Sequence, residues 1–271
     1  MAKSKWEYVK GFEQEETLLP SCWVVIRLDG HSFTRFAKDH EFEKPNDIQA
    51  LALMDYAAQH VMKEFGDIRM AFGESDEMSF ILNKASTLYG RRKSKLISLI
   101  VSCFTAHYVN SWSSFFPNKQ LQHLPIFDGR AVCYPSERTL RDYLCWRQAD
   151  THINNQYNTC FWSLVHSGMT GAEAQDTLKH TQADFKNELL FSKFGINYAK
   201  LDPRLRKGSI IIRQPKRKAE GEQLEDLGKP MQLDAANHVP STMPANLKGL
   251  EVLHEDIIQE HFWVSRPEML R

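Results

Sequence analysis

The sequence predicts an α+β fold in which two helices pack on one face of an antiparallel sheet. Between residues 22 and 135, short runs rich in β-branched and aromatic residues alternate with two longer segments of helical periodicity. Their order, β-α-β-β-α-β, is the ferredoxin-like arrangement, which places the first and third strands side by side at the centre of the sheet. After residue 135 helical patterns dominate. We therefore expect a core domain at residues 1–135 and a helical or mixed extension at residues 136–271.

Each element of the first half follows from a local pattern. The run from Cys22 to Leu28 is short, continuous and β-branched, which is typical of a buried strand. Pro45-Asn46-Asp47 is a helix start with an acidic N-cap region, and apolar residues then recur at helical spacing as far as Phe65. The remaining predicted elements are a hairpin of strands Ile68 to Phe72 and Met78 to Leu82, a helix from about Arg91 to Phe115, and a strand from Phe127 to Pro135.

The second half begins with helices. Ser136 is a candidate N-cap for a helix that extends to Val165, and a shorter helix follows from Thr170 to His180. The run from Ser209 to Arg213 predicts a strand. Residues 215–246 are rich in charge, Pro and Gly, so we expect a mobile loop or insertion there, and order returns from Val252 to Phe262.

Composition excludes several classes of protein. Lys and Arg total 34 and balance 34 Asp and Glu, so no overall positive charge indicates nucleic acid, although a local basic patch remains possible. The five cysteines contain no Cys-x-x-Cys pair, which argues against a disulfide scaffold and a structural zinc site. Neither a membrane-spanning run of about 20 apolar residues nor a secretory signal is present. We expect an intracellular, soluble protein of the cytoplasm, the nucleus or both.

Two acidic side chains are expected to meet at one edge of the sheet. Asp29 ends the first strand and Asp76 opens the third. Separately, Asp29-Gly30 is most often a turn and Ser75-Asp76-Glu77 a solvated bend, but on one sheet they favour a shared site. Two carboxylates and the Gly30 carbonyl suit Mg²⁺, which leaves its other positions to water and phosphate oxygens. Strand alternation turns Glu77 away from Asp76, so Glu77 is expected to support this site. The pattern predicts a metal-dependent enzyme that uses nucleotides.

Polar and basic residues nearby are candidates for binding phosphates. His31, Ser32 and Phe33 follow the first carboxylate and offer amides and a hydroxyl to a triphosphate. Residues 91–95, Arg-Arg-Lys-Ser-Lys, place four cations at a helix start, where the helix dipole disfavours them. Such cations are suited to clamping a triphosphate, and a solvated helix start is the alternative. Lys44 lies in the loop after the first motif.

A polar helical stretch at residues 146–158 is a candidate RNA-binding surface. His152 and Asn155 are three residues apart and share a helix face, where an imidazole and an amide suit base edges and phosphate oxygens. A buried polar network between helices is the alternative for this stretch. Lys186, Asn197 and Lys207 extend a polar and basic track later in the chain.

Four motifs together resemble the tRNA-His guanylyltransferase family. They are Arg-Leu-Asp-Gly followed by a Phe, then Gly-x-Ser-Asp-Glu-x-Ser-Phe, then Phe-Asp-Gly-Arg, and finally Tyr-x-x-Trp-Arg-Gln-Ala-Asp-x-His-Ile-Asn-Asn-x-Tyr-Asn-Thr. The resemblance extends from residue 3 to about residue 213, and the last motif is long and specific.

The resemblance implies a polymerase-palm-type catalytic domain that works in the 3′-to-5′ direction and adds one guanosine to the 5′ end of histidine tRNA. It implies that ATP adenylylates the tRNA 5′-monophosphate, that the 3′-hydroxyl of GTP attacks the activated phosphate and expels AMP, and that pyrophosphate is then removed. Two Mg²⁺ ions serve each active site in this scheme, and the protein assembles as a homotetramer.

The resemblance also assigns roles to residues of this chain. It implies catalytic roles for Asp29, Asp76 and Glu77, and metal ligands at Asp29, Gly30 and Asp76. Nucleotide contacts are implied at Asp29, Gly30, His31, Ser32, Phe33, Thr34, Lys44, Ser75, Asp76, Arg92 and Lys95. Contacts to tRNA are implied at His152, Asn155, Lys186, Asn197 and Lys207.

Two alternatives stay open at the level of sequence. Another palm-fold nucleotidyltransferase, or a nucleotidyl cyclase, would share the two acids but would have no use for the stretch from His152 to Asn158. A non-catalytic tRNA-binding protein would use the acids only to end strands, although paired carboxylates near RNA repel phosphates unless cations neutralise them.

Overall fold

A computed structural model describes residues 4–214 and 244–270 of the chain. The loop expected at residues 215–246 therefore lies almost entirely outside the described residues.

A six-stranded antiparallel sheet forms the centre of the fold. Its strands are β1 (Trp23–Gly30), β2 (Ile68–Glu74), β3 (Glu77–Leu82), β4 (Phe127–Tyr134), β5 (Ser209–Arg213) and β6 (Leu250–Leu253). Their spatial order is β4-β1-β3-β2-β5-β6. The first and third strands are neighbours, as the ferredoxin-like order predicts, and two strands from the second half extend the sheet beyond β2.

Helices surround this sheet. In chain order they are α1 (Phe33–Asp39), α2 (Ile48–Glu64), α3 (Lys93–Phe115), α4 (Glu137–His166), α5 (Gly171–Leu178), α6 (Ala183–Phe194), α7 (Pro203–Lys207) and α8 (Glu260–Val264). Short 3-10 turns lie at Glu7–Phe12, Leu88–Arg91, Tyr198–Lys200 and Pro267–Leu270. No helix in the described parts of the chain has the length and apolar character that crossing a membrane requires.

Both faces of the sheet are covered, because β1 is apolar on both sides. Val24 and Ile26 are buried in a core cluster that also contains the inner faces of α2 and α3. Trp23 and Val25 alternate to the other face, in a second cluster that includes Leu140 at the start of α4. The continuous apolar run of β1 is the sequence signature of a strand buried on both faces.

Helix α4 connects the sheet to a separate helical cluster. Ser136 caps its first turn by accepting from the amide of Thr139, and the helix continues for 30 residues, which is about 45 Å. Near its C-terminal end, Cys160 and Leu164 pack against α5 and α6 in a third buried cluster.

Helices α1 and α6 are not predicted from the sequence, and both for the same reason; the five-residue helices α7 and α8 are not predicted either. Helix α1 buries only Phe36, and α6 buries only Lys186 and Leu190. With so few fully buried positions, neither segment carries a clear helical period.

Candidate active site

The end of β1 and the β2–β3 hairpin bring Asp29 and Asp76 together. Asp29 pairs with Glu77 in the β1–β3 register, so Asp76 lies one residue beyond that pair, in the two-residue turn Ser75-Asp76. Ser75 adopts the left-handed conformation with φ of 49°, which closes the turn. The Gly30 amide donates a hydrogen bond to the Asp76 carbonyl at 3.1 Å and fixes the turn against the end of β1.

Both carboxylates line one cavity, which we call the carboxylate cavity. It encloses about 490 Å³ between the α1–α2 segment, the β2–β3 hairpin and the C-terminal half of α4. Phe33, Thr34 and Lys44 line it from the α1–α2 side, and Ser75 lines it from the hairpin. All four are residues for which the sequence predicts a role in nucleotide binding.

The pair of carboxylates fits a divalent cation. Burial raises the pKa of Asp76, and the negative charge of Asp29 raises it further, so the two side chains repel each other across the site. A cation would relieve that repulsion. In the described residues no three His, Cys, Asp or Glu side chains converge on a metal position, so any ion here would take two carboxylates, the Gly30 carbonyl and oxygens from substrate or water. That ligand set is typical of Mg²⁺.

The packing around Gly30 leaves no room for a side chain at this position. A Cβ atom at this position would lie 2.3 Å from Cδ2 of Phe33 and 2.8 Å from Oδ2 of Asp76. Real Cβ atoms do not approach other atoms so closely, so any side chain here would displace the Phe33 ring or the Asp76 carboxylate.

Glu77 is held by arginine. The Arg147 guanidinium on α4 donates to both Glu77 oxygens, at 2.7 and 3.0 Å, and to Glu74 at 2.8 Å. Arg27 approaches Glu77 at 3.7 Å. Glu77 thus binds the turn that carries Asp76 to α4, and the residue also lines the carboxylate cavity.

Sequence reasoning overlooked Arg147 and Glu74. Burial raises the pKa of Glu74 to about 7, although Arg147 and a hydrogen bond from Thr151 act in the opposite direction. Arg147 also pairs with Asp150 at 3.1 Å, so one buried guanidinium serves three carboxylates. The available signal was a single arginine within an otherwise amide-rich stretch, opposite a hairpin that contains three acids.

The predicted triphosphate clamp lies elsewhere in this chain. Arg91 donates to the carbonyl of Cys22, directly before β1, so the start of α3 lies at the opposite end of β1 from Asp29. The eight residues of β1 separate those ends by about 20 Å. Arg92 pairs with Glu15 at 2.9 Å, and the Lys95 ammonium lies 5.2 Å from the Tyr89 ring centre. Neither Arg92 nor Lys95 lines the carboxylate cavity.

Two earlier candidates for nucleotide binding lie just outside the cavity. Ser32 adopts the left-handed conformation at the start of α1, and His31 is exposed beside it. The His31 amide donates to the carbonyl of Ile126 at 2.8 Å, so that amide is not free for a phosphate in this conformation.

The residues predicted to bind tRNA divide into buried and exposed groups. Asn155 is buried, accepts from Asn46 at 2.8 Å and donates to the Tyr198 hydroxyl at 3.1 Å. His152 lies at the surface, where partial desolvation and then the cations of Lys207 and Arg206 lower its pKa. The expected shared face of His152 and Asn155 is therefore split between solvent and core.

The other three of these residues already have partners within the chain. The buried Lys186 ammonium donates to the Thr181 carbonyl at 2.8 Å. The Asn197 side chain accepts from the Ala199 amide at 3.1 Å, and Lys207 pairs with Asp256. Part of this region is therefore a buried polar network, which was the alternative to an RNA-binding surface. Asn154 and Asn158 on the same helix are exposed, and both line the carboxylate cavity.

Comparisons with known proteins agree with this architecture. The family model of tRNAHis guanylyltransferase matches residues 6–135, and that of the C-terminal domain of the same family matches residues 138–259. A tRNA(His) guanylyltransferase of Neurospora crassa is 47% identical over 282 residues, which cover 100% of this chain and 96% of the fungal protein.

Solved structures give the same result. The crystal structure of the tRNA(His) guanylyltransferase from Saccharomyces cerevisiae superposes with a TM-score of 0.74 and 48% identity, covering 77% of this chain and 93% of that one. Bacterial tRNA(His) guanylyltransferase-like protein shares the fold, with a TM-score of 0.63 and 23% identity in complex with ATP, covering 77% of this chain and 88% of that one. The complex of the bacterial protein with GTP superposes with a TM-score of 0.60 and 20% identity, covering 97% of this chain and 93% of that one. The chain belongs to the tRNAHis guanylyltransferase family of nucleotidyltransferases.

Proposed function

We propose that this protein adds a guanosine nucleotide to the 5′ end of histidine tRNA, in the 3′-to-5′ direction. The tRNA 5′-phosphate attacks the α-phosphorus of ATP and releases pyrophosphate, which leaves an adenylylated 5′ end. The 3′-hydroxyl of GTP then attacks the tRNA phosphorus of that linkage, and AMP departs. Water then cleaves the bond between the α- and β-phosphates of the added nucleotide, and pyrophosphate departs. The observation that carries this proposal is the convergence of Asp29 and Asp76 in a single cavity.

Asp29, Asp76 and the Gly30 carbonyl would hold two Mg²⁺ ions. When bound, these ions would neutralise charge on the phosphates and lower the pKa of the attacking hydroxyl. The carboxylates suit this task because phosphoryl transfer needs in-line placement and charge neutralisation, with little covalent chemistry from the protein. Glu77 contributes by holding the Asp76 turn against Arg147.

The remaining cavity residues would position the nucleotide. Phe33, Thr34, Lys44 and Ser75 line the cavity beside the carboxylates and are proposed to contact ATP or GTP. Complexes of the bacterial relatives with ATP and with GTP support this choice of ligands. Arg92 and Lys95 remain proposed triphosphate contacts, but within one chain they would bind a triphosphate that lies outside the cavity.

Histidine tRNA is proposed to approach along α4. His152 is exposed, and Asn154 and Asn158 reach the cavity from the same helix, so groups that can bind RNA lead from the surface towards the carboxylates. Lys186, Asn197 and Lys207 are proposed to contribute to this surface from the segments packed beside it. We also propose assembly as a homotetramer, as in the family that the sequence resembles.

The decisive experiment follows the two chemical steps separately. The protein is incubated with 5′-monophosphorylated histidine tRNA, Mg²⁺ and ATP labelled at the α-phosphate, and GTP is added afterwards. We expect a labelled tRNA end that is lost when GTP is incorporated. Asp29→Asn and Asp76→Asn should abolish both steps while the melting temperature and the tRNA affinity stay close to wild type.

The alternatives give different results in the same experiment. A nucleotidyl cyclase would release cyclic nucleotide without labelling the RNA. A non-catalytic tRNA-binding protein would bind the tRNA equally well in EDTA and would not consume ATP. Full nucleotide addition by either Asn variant would contradict the role proposed for the carboxylates.

A further inference from the structure

Tyr108, in the middle of α3, reaches the carboxylate cavity from the core side. Its side chain is completely buried and is surrounded by aromatic rings, of which Phe127 is nearest at a centroid distance of 5.7 Å. The residue is nevertheless part of the cavity wall, together with Asp29 and Asp76. Neither the sequence motifs nor the proposed mechanism gives it a role.

The hydroxyl group of Tyr108 has no hydrogen-bond partner among the described residues. The other two buried tyrosines of the described chain differ in this respect. The Tyr143 hydroxyl bonds to the Ser79 hydroxyl at 2.6 Å, and the Tyr198 hydroxyl donates to the His152 carbonyl at 3.1 Å. Buried hydroxyl groups are almost always bonded, because leaving one without a partner destabilises the folded state. An unbonded hydroxyl at a cavity wall therefore indicates a partner that arrives with a ligand.

The position of this hydroxyl indicates which part of a nucleotide it meets. The phosphates belong at the carboxylate end of the cavity, where cations would gather. Phe42, Leu51 and Met54 give the α1–α2 end an apolar wall, which suits a purine base. The sugar lies between the base and the phosphates in any nucleotide, and Tyr108 lines the same cavity as Asp47, at the start of α2, and Asp76, at the hairpin turn.

Electrostatics support this placement. Burial raises the pKa of Tyr108, and the negative charges of Asp47 and Asp76 raise it further. Asp47 is the N-cap of α2 and Asp76 lies at the hairpin turn, so carboxylates from two different sides of the cavity act electrostatically on the hydroxyl. The group stays protonated and can act as a hydrogen-bond donor.

We propose that the Tyr108 hydroxyl donates a hydrogen bond to a ribose hydroxyl of the nucleotide bound in the carboxylate cavity. This inference rests on the proposed function, because it needs a nucleotide in that cavity. It adds a binding residue that reads the sugar, and it predicts a preference for ribonucleotides over the deoxynucleotide that lacks the bonded hydroxyl.

The test is Tyr108→Phe in the full chain, which removes one oxygen and keeps the ring. We expect the Kd for GTP, measured by calorimetry with Mg²⁺ present, to rise about threefold to tenfold, as loss of one net hydrogen bond implies. The melting temperature without nucleotide should stay the same or rise, because the variant no longer buries an unbonded hydroxyl. Tyr143→Phe is the matched control, and it should lower the melting temperature and leave the Kd unchanged.

Deoxynucleotides identify the group that is bonded. Wild type should bind either 2′-deoxy-GTP or 3′-deoxy-GTP about threefold to tenfold more weakly than GTP. Tyr108→Phe should bind GTP and that analogue equally. Wild-type affinity of Tyr108→Phe for GTP, or equal wild-type affinity for GTP and both analogues, would overturn the inference. The analogue series with wild type alone decides the question if the variant does not fold, and failure of guanosine addition by wild type would count separately against the proposed function.

Discussion

Gly30 shows how closely the backbone approaches the carboxylates. Its amide bonds to the Asp76 carbonyl, and the space that a Cβ would need is taken by the Phe33 ring and the Asp76 carboxylate. The Asp-Gly pair was noticeable in the sequence as a turn signal. The packing that excludes a side chain at Gly30 depends on Asp76, 46 positions later, so it could not be inferred from local sequence.

Gly30→Ala should therefore reduce guanosine addition by at least about tenfold, because a displacement of one carboxylate by about 1 Å is enough to misplace reacting groups. The melting temperature should fall only slightly, since the strain can be relieved at the cavity. Gly66→Ala is the matched control, because no atom lies within 4 Å of a Cβ built there. Addition kinetics and thermal melts of both variants check this, and undiminished addition by Gly30→Ala would show that the cavity adapts.

A second residue-scale feature is the buried carboxyl group of Glu74. Its pKa of about 7 lies above the ordinary 4.5, so the folded state binds a proton more tightly than the unfolded state between those values. The contribution of Glu74 to stability is thus complete below about pH 4.5 and is lost as the pH rises through about 7. Burial raises the pKa of Glu77 and Asp76 in the same direction.

We expect the free energy of unfolding of wild type to fall by about 2–3 kcal/mol more than that of Glu74→Gln between pH 5 and pH 8, since one pKa unit corresponds to about 1.4 kcal/mol. Urea titrations across this range measure the difference. Glu13→Gln, at an exposed position, should keep the wild-type slope. Parallel pH profiles of wild type and Glu74→Gln would show that this carboxyl group titrates normally.

At the scale of elements, α4 contacts three different parts of the structure along its length. Its first turns pack on the sheet through Leu140, its middle holds Arg147 beside the hairpin, and its last turns join the α5–α6 cluster through Leu164. The sequence predicted the helix and its cap at Ser136, because both depend on local pattern. It could not separate the buried from the exposed polar residues of the middle part, since that depends on segments that return beside α4 much later in the chain.

This division makes a prediction for His152 and Asn155. Asn155→Ala should destabilise the protein by about 1–3 kcal/mol, because it removes the acceptor of the Asn46 amide and one of the two hydrogen bonds of the Tyr198 hydroxyl, which keeps only its bond to the His152 carbonyl. His152→Ala should leave stability within about 0.5 kcal/mol of wild type, as is usual at the surface, and should weaken tRNA binding. Urea melts and filter binding with histidine tRNA distinguish the two. A stable Asn155→Ala that loses tRNA affinity would restore the direct RNA contact expected from sequence.

For the whole molecule, the β-α-β-β-α-β order of residues 22–135 was predictable, because each element has its own period and the arrangement has few alternatives. The meeting of Asp29 with Asp76 followed from that topology. The position of β6 could not be predicted, because a run of four residues is too short to show a pattern. The ion pair of Arg204 with Asp55 at 3.3 Å, which connects α7 to α2, could not be predicted either. Such contacts couple the two halves of the chain, and pattern within each half carries no information about them.

The sheet combines strands of residues 1–135 with strands β5 and β6 of the second half. We therefore expect that a fragment of residues 1–135 does not fold alone. Without the second half, β2 loses its neighbour β5, and Trp23 and Val25 lose the cover of Leu140 and Phe262. An exposed apolar sheet face with an open edge is prone to aggregation. Circular dichroism and size-exclusion chromatography of the fragment should show no cooperative melt and no monomer peak, and co-expression with residues 136–271 should restore both. A monomeric fragment that melts cooperatively would instead establish residues 1–135 as an autonomous domain, with the strands of the second half as an addition to a complete core.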